Sequence, residues 1–311
     1  MIWSVLILIG VAAALPFLAE RRKPDMDDAT RAQAPGQFAD LSDGKTHFGW
    51  AGPKNGPVLV CIHGLTTPAY VFNALISGLV ERGFRVLTYD LYGRGFSDRP
   101  RAAQTRHLFI RQLRDLLQDQ GISGDITLLG YSMGGSIATV FAFEEPERVS
   151  RLILCAPAGL VHRPDSLAKL TRAVPGLGEW LTLTIAGRSL RRASRRQQAH
   201  TSIVLEMSQR QETEVARRGY LPSVLSSQRN MLAETLAEEH RAIANAEIPV
   251  LAIWGELDTV IPLQALGRLT ENNRHAHQSV IKGAGHGVIY THPTEVLGAI
   301  DSFMNSGRDE T

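Results

Sequence analysis

Ser132 stands in Gly130-Tyr131-Ser132-Met133-Gly134, between the strand-like run "DITLLGYS" and the helical pattern "MGGSIATVFAFEE". The spacing is G-x-S-x-G, placed where that motif has mechanical sense: a strand, a sharp turn carrying the serine, then a helix. Such a turn strains the backbone, and the residues two positions away must be small to avoid clashes, as Gly130 and Gly134 are. In a chain with 28 glycines the five letters alone are modest evidence, and their position gives them weight. A serine hydroxyl is a poor nucleophile until a base takes its proton. His286 lies in "GAGHGV", directly after the last strand-like run, with glycines that let its loop bend inward. A base needs a carboxylate to hold its tautomer. Asp258 follows "VLAIWGE" and precedes Val260-Ile261-Pro262, at a strand's carboxyl end. Taken singly, His286 reads as a turn residue and Asp258 as the cap of a helix beginning near Pro262. Together, in the order Ser132, Asp258, His286, they read as nucleophile, orienting acid and base. Glu256, two residues before Asp258, is the alternative acid.

Attack on a carbonyl builds negative charge on its oxygen, and backbone N–H groups are suited to receive it. The elbow puts the Met133 N–H at a helix N-terminus, facing that charge. A second donor must come from a neighbouring strand end, and His63-Gly64-Leu65 closes the run "VLVCIHG". Leu65 is the expected donor and Thr66 the alternative; Gly64 leaves room, and His63 reads as a brace for the loop rather than a second base. "DLYGRGFSDRP" reads as architectural: Asp90 caps a turn, Gly93 and Gly95 allow the bend, and a substrate role for Arg94 or Ser97 is the lesser reading. No Cys/His group has the spacing of a zinc site, so no metal or organic cofactor is expected. Cys61 and Cys155 sit in apolar runs and read as buried free thiols.

The elements needed to position these residues follow from the hydrophobic pattern. "QFADL" and "THFGWA", separated by Ser42-Asp43-Gly44, predict a hairpin. "VLVCIHG", "RVLTYD", "DITLLGYS", "RLILCAPAG", "IPVLAIWGELD" and "HQSVIKGAGH" predict further strands, alternating with helical patterns at 69–82, 104–119, after Ser132 and at the C-terminus. Continuous apolar strands alternating with helices mean a mostly parallel sheet covered on both faces, an α/β fold. Between Gly159 and Ala244 the alternation stops, and the helical pattern there reads as a cap inserted into the sheet domain. The domain reading is therefore 1–19 apolar segment, 20–36 linker, 37–158 with 245–311 as the core, and 159–244 as cap.

Net charge is +2 over 311 residues and mixed along most of the chain, which argues against a nucleic-acid partner. Residues 2–19 are almost wholly apolar and, as a helix, would be about 27 Å long, near the hydrocarbon thickness of a bilayer. Nothing basic precedes them, and Arg21, Arg22 and Lys23 follow. The expectation is a membrane anchor with the remaining chain on the cytoplasmic side; a cleaved signal peptide with export is the alternative. In the cap, Arg188, Arg191, Arg192, Arg195 and Arg196 fall at intervals of three, one, three and one, one face of a helix. That face reads either as a solvated surface or as a contact for anionic headgroups.

These motifs together resemble the α/β-hydrolase superfamily, in the branch with HG, DxxGxGxS, GxSMGG, GxxD and GxGH in that order, across residues 37 to 306. The resemblance implies an eight-stranded, mostly parallel sheet with a helical cap between the sixth and seventh strands. It carries Ser132, Asp258 and His286 as triad and Leu65 and Met133 as oxyanion donors. "GYSMGG" with an apolar N-terminus is similar to monoacylglycerol lipases and carboxylesterases. The expected activity is hydrolysis of medium-chain or lipid-like carboxylic esters. Alternatives on the same triad are carbon–carbon bond, lactone, thioester or amide hydrolysis, or a ligand-binding role. Ser132 stands where dehalogenases and epoxide hydrolases of this fold have an aspartate. Gly287 stands where carbon–carbon bond hydrolases often have tryptophan.

Overall fold

The computed structural model describes residues 2–161, 166–190, 192 and 207–306. Eight strands form one sheet: β1 (Gln37–Leu41), β2 (Gly44–Ala51), β3 (Val58–Ile62), β4 (Arg85–Tyr89), β5 (Ile126–Tyr131), β6 (Val149–Cys155), β7 (Val250–Gly255) and β8 (His277–Ile281). Their spatial order is β1-β2-β4-β3-β5-β6-β7-β8. β2 runs antiparallel to both β1 and β4, and every pairing from β4 onward is parallel. The expected α/β-hydrolase fold is therefore present, and the cap interval falls between β6 and β7.

The apolar runs are continuous because both sheet faces are covered, and successive side chains leave on opposite sides. Val60 and Ile62 of β3 join Leu128 of β5 and Leu154 of β6 in one core, under the helices Arg106–Asp119 and Met133–Glu144. Leu59 and Cys61 join Leu129, Ile153 and Ile253 in the other, under Asn73–Glu81 and Pro293–Ser306. Cys61 and Cys155 are buried free thiols, as expected.

Two boundaries differ from the sequence reading. Helix Ala237–Asn245, within the interval read as cap, packs on Met133–Glu144 and Gln264–Asn272, and its Ile243 belongs to the sheet core. Its helical period is the same as that of the cap helices, so only packing separates them. The polar segment read as a linker is tied down along most of its length. The Glu20 carboxylate accepts from the Gly219 N–H at 2.8 Å, Lys23 Nζ donates to the Val215 carbonyl at 3.0 Å, and the Pro24 carbonyl accepts from the Arg218 N–H at 3.0 Å. Arg31 then pairs with Asp98 of the core. Pro24 and Gly36 made the stretch resemble a linker, yet its charged residues find partners on the folded surface.

Helix Ile2–Arg21 is the one helix among the described residues long and apolar enough to cross a membrane. Its side chains are exposed over most of its length, with Ile2 and Trp3 more than three-quarters accessible. Its second half meets the cap: Trp180 Nε1 donates to the Ala12 carbonyl at 3.1 Å. Phe17, Leu18, Leu183, Pro222 and Leu225 line a cavity of about 440 Å³ at that junction, away from Ser132, Asp258 and His286.

Candidate active site

β5 ends at Tyr131, and Ser132 turns the chain into the helix beginning at Met133. Ser132 has φ 53° and ψ −116°, in the left-handed half of conformational space that side chains avoid. Three hydrogen bonds of 3.0 Å hold it there: its N–H donates to the Cys155 carbonyl, and its carbonyl accepts from the Gly135 and Ala158 N–H groups. A Cβ on Gly134 would lie 1.9 Å from the Ile62 carbonyl oxygen, and one on Gly130 2.4 Å from that of Gly134. The elbow packs directly against the neighbouring strand end, which leaves no room for larger residues.

His286 lies on the loop after β8, 17% exposed, and Asp258 on the loop after β7, with its side chain 1% exposed. His286 Nε2 is 3.0 Å from Ser132 Oγ, and Nδ1 is 2.8 Å from Asp258 Oδ2. An ionised carboxylate only accepts, so Nδ1 carries the proton and Nε2 offers its lone pair to the serine hydroxyl. Asp258 Oδ1 accepts from the Val260 and Ile261 N–H groups at 2.7 and 2.8 Å, which fixes the carboxylate against rotation. The helix expected near Pro262 begins at Gln264, after Leu263, without a side-chain cap. Asp258 Oδ1 instead braces the turn at Val260 and Ile261, and Oδ2 faces His286. Glu256 is placed elsewhere, accepting from the Gly283 N–H at 2.8 Å.

Loop 63–67 passes beside the elbow: a Cβ on Gly64 would be 3.3 Å from that of Ser132. Met133 is the first residue of its helix, so its N–H has no helical acceptor. His63 is fully buried; the Leu91 N–H donates to its Nε2 at 2.9 Å, and its Nδ1 donates to the Gly64 carbonyl at 2.8 Å. Both ring nitrogens are occupied and burial pushes the imidazole down to about 4, which leaves His63 a neutral brace. Asp90 accepts from the Ala69 and Phe96 N–H groups and from His47 Nδ1, consistent with its turn-holding reading. Ser97 is buried, its hydroxyl donating to the Asp90 carbonyl at 2.6 Å. Gly93 and Gly95 have φ of 87° and 53°, the conformations the bend requires.

Two residues near the site were not singled out as functional in the sequence. Tyr131 donates from its hydroxyl to the His286 carbonyl at 3.2 Å, and Tyr220 of the cap donates to the Thr66 carbonyl at 2.9 Å. Tyr131 occupies a free position of the motif and Tyr220 lies in a helix without a motif, so no local signal marks either. Of the arginine face, Arg188 and Arg192 are exposed; Arg191, Arg195 and Arg196 lie outside the described residues. No group of three or more His, Cys, Asp or Glu suited to a metal occurs among the described residues.

The chain matches the family model of the α/β hydrolase fold over residues 57–293. It is 26% identical over 264 residues to a pimeloyl-[acyl-carrier protein] methyl ester esterase of Aliivibrio salmonicida, covering 83% of this chain and 96% of the relative. It is 28% identical over 263 residues to a 2-hydroxy-6-oxononadienedioate/2-hydroxy-6-oxononatrienedioate hydrolase of Burkholderia vietnamiensis, covering 80% and 86%. Among solved structures, a membrane phospholipase A described as a bacterial virulence factor superposes with a TM-score of 0.72 at 20% identity, covering 99% of this chain and 97% of that one. At that identity the likeness is one of fold. The family match spans most of the chain, including the elbow and the strand ends that carry Asp258 and His286, so this protein belongs to the α/β-hydrolase family.

Proposed function

We propose that this chain is a serine ester hydrolase, a carboxylesterase of monoacylglycerol lipase-like type, working through an acyl-enzyme. The observation that carries the reading is the single imidazole that reaches both Ser132 Oγ, at 3.0 Å, and Asp258 Oδ2, at 2.8 Å. His286 Nε2 takes the hydroxyl proton as Ser132 Oγ attacks the ester carbonyl. The Leu65 and Met133 N–H groups receive the charge of the tetrahedral oxyanion, and Asp258 stabilises the imidazolium. His286 gives its proton to the leaving alcohol as the ester C–O bond breaks. Water then repeats the sequence and releases the acid. The relationship to a methyl ester esterase supports the ester reading. Helix Ile2–Arg21, read as a cytoplasm-facing membrane anchor, supports medium-chain or lipid-like esters, with the exposed Arg188 and Arg192 as a second contact for anionic headgroups.

The test is hydrolysis of nitrophenyl esters of increasing acyl length by the full chain in detergent, beside Ser132→Ala. Turnover with an optimum at medium or long chains, lost in the variant, is the expected result. Equal inertness of both proteins would sink the ester reading. A second reading has support in the Burkholderia relative, whose name describes a hydrolase of an oxo-dienedioate. Loss of dienoate absorbance on adding a ring-fission product, dependent on Ser132, would replace ester hydrolysis by carbon–carbon bond hydrolysis. Gly287 after His286 weighs against it.

A further inference from the structure

Three consecutive carbonyls on the loop after β3 are held by three different buried side chains. His63 Nδ1 donates to Gly64, Arg94 Nε to Leu65 at 3.0 Å, and the Tyr220 hydroxyl to Thr66 at 2.9 Å. A trans peptide is planar and its C=O and N–H point in opposite directions. Holding the Gly64 carbonyl therefore aims the Leu65 N–H, and holding the next two carbonyls keeps the following peptide planes from relaxing that aim.

Two of these holds lead to the cap helix Tyr220–Arg229. Tyr220 belongs to it and is fully buried. Arg94 reaches it through Nη2, which donates to Ser227 Oγ at 2.7 Å and to the Ser223 carbonyl at 3.5 Å. Its Nη1 donates to the Tyr92 carbonyl at 2.9 Å and to Gln104 Oε1 at 2.7 Å. All five guanidinium donors are thus spent on neutral oxygens inside the protein, and a planar fork with five engaged donors leaves little angular freedom. A second feature agrees: burial pulls Arg94 down to about 10, so this cation is kept where water does not help it.

We propose that the cap helix Tyr220–Arg229 sets the direction of the Leu65 N–H through Tyr220 and Arg94, and that Tyr220 is a positioning residue for the oxyanion hole. The inference rests on the reading of Ser132 as nucleophile and the Leu65 N–H as oxyanion donor. The cap then contributes to the chemical step as well as covering the site. A donor displaced by a fraction of an ångström stabilises the tetrahedral oxyanion less while leaving substrate binding nearly unchanged.

The experiment compares Tyr220→Phe and Ser227→Ala with the full-length wild type in detergent, using the best nitrophenyl ester and a trifluoromethyl ketone of the same chain length. The ketone becomes a tetrahedral oxyanion on Ser132 and so reports the hole directly. Tyr220→Phe is expected to lower kcat about tenfold with KM within twofold, and to weaken the ketone by the same factor. Ser227→Ala should move both quantities in the same direction by less, and it decides the matter alone if Tyr220→Phe does not fold. A role in packing only would lower the thermal midpoint and leave kcat per folded molecule and ketone affinity unchanged, which overturns the proposal. So does a rise in KM with constant kcat. If Ser132→Ala is inert while both variants match wild type, the positioning falls and the serine mechanism stands. If Ser132→Ala keeps wild-type turnover, both fall.

Discussion

At the residue scale, the two carboxylates near the end of β7 separate by their partners. Asp258 divides its oxygens between two backbone N–H groups and His286, whereas Glu256 turns to the Gly283 N–H. Asp258→Asn keeps the size of the side chain but removes the acceptor-only character that holds the proton on His286 Nδ1. Ester turnover is expected to fall on the order of 10⁴-fold in kcat, and Glu256→Gln to stay within a few-fold of wild type. Steady-state kinetics on the purified variants check the pair, and a collapse in Glu256→Gln alone would move the acid role to that residue. The strain at Ser132 belongs to this scale too. It survives because three backbone hydrogen bonds and two glycine contacts determine the turn from both sides.

At the scale of elements, the cap meets the core through buried charge as well as apolar surface. Glu214, on helix Met207–Ala216, accepts from the Gly95 N–H at 2.9 Å and lies 3.6 Å from Arg99. Arg94, Tyr70, Tyr220, Asp90, Arg210 and Arg217 are the other charged and titratable groups around it. Burial, partly offset by Arg99, raises the carboxyl from its ordinary 4.5 to about 7. A raised acid is bound to its proton more tightly in the folded state. Its contribution is full below about pH 4.5 and lost as pH rises through about 7. Glu214→Gln keeps the acceptor for Gly95 and stays neutral throughout. Its melting temperature should match wild type near pH 4.5 and exceed it at pH 8, by scanning calorimetry at both values. A wild type that gains stability on Glu214 ionisation, with the Gln variant less stable at pH 8, would contradict the buried-acid account.

At the scale of the molecule, the N-terminal helix is fastened to the cap. The hydrogen bonds that Glu20 accepts and that Lys23 and Trp180 donate, with the apolar junction around Phe17 and Leu183, join helix Ile2–Arg21 and its extension to the cap. A helix held this way keeps its exposed apolar face only if something apolar covers it, and a bilayer is the proposed cover. Full-length protein expressed in cells should stay with membranes through alkaline carbonate extraction, and a form lacking residues 1–19 should be released. Recovery of a chain whose N-terminus begins after residue 19 would favour signal-peptide cleavage instead.

Much of this was legible in the sequence, for a definite physical reason. Strand alternation, the small residues of the elbow and the strand-end placement of Asp258 and His286 are consequences of local backbone geometry. Local geometry is written in neighbouring residue types, so fold class and the order Ser132, Asp258, His286 could be read without coordinates. The assignment of helix Ala237–Asn245 to the core could not, because a 3.6-residue period states that a helix has an apolar face and not what the face meets. The same holds for the lashed segment 20–31, whose polar composition is that of a linker until Val215, Arg218 and Gly219 are brought beside it. Tyr220 lies 154 residues from the carbonyl it holds, and Arg94 reaches Ser227 across 133. Contacts of that separation depend on how the cap is set on the sheet. The sequence by itself determined which residues could do chemistry; tertiary packing decided which of the others hold them in place.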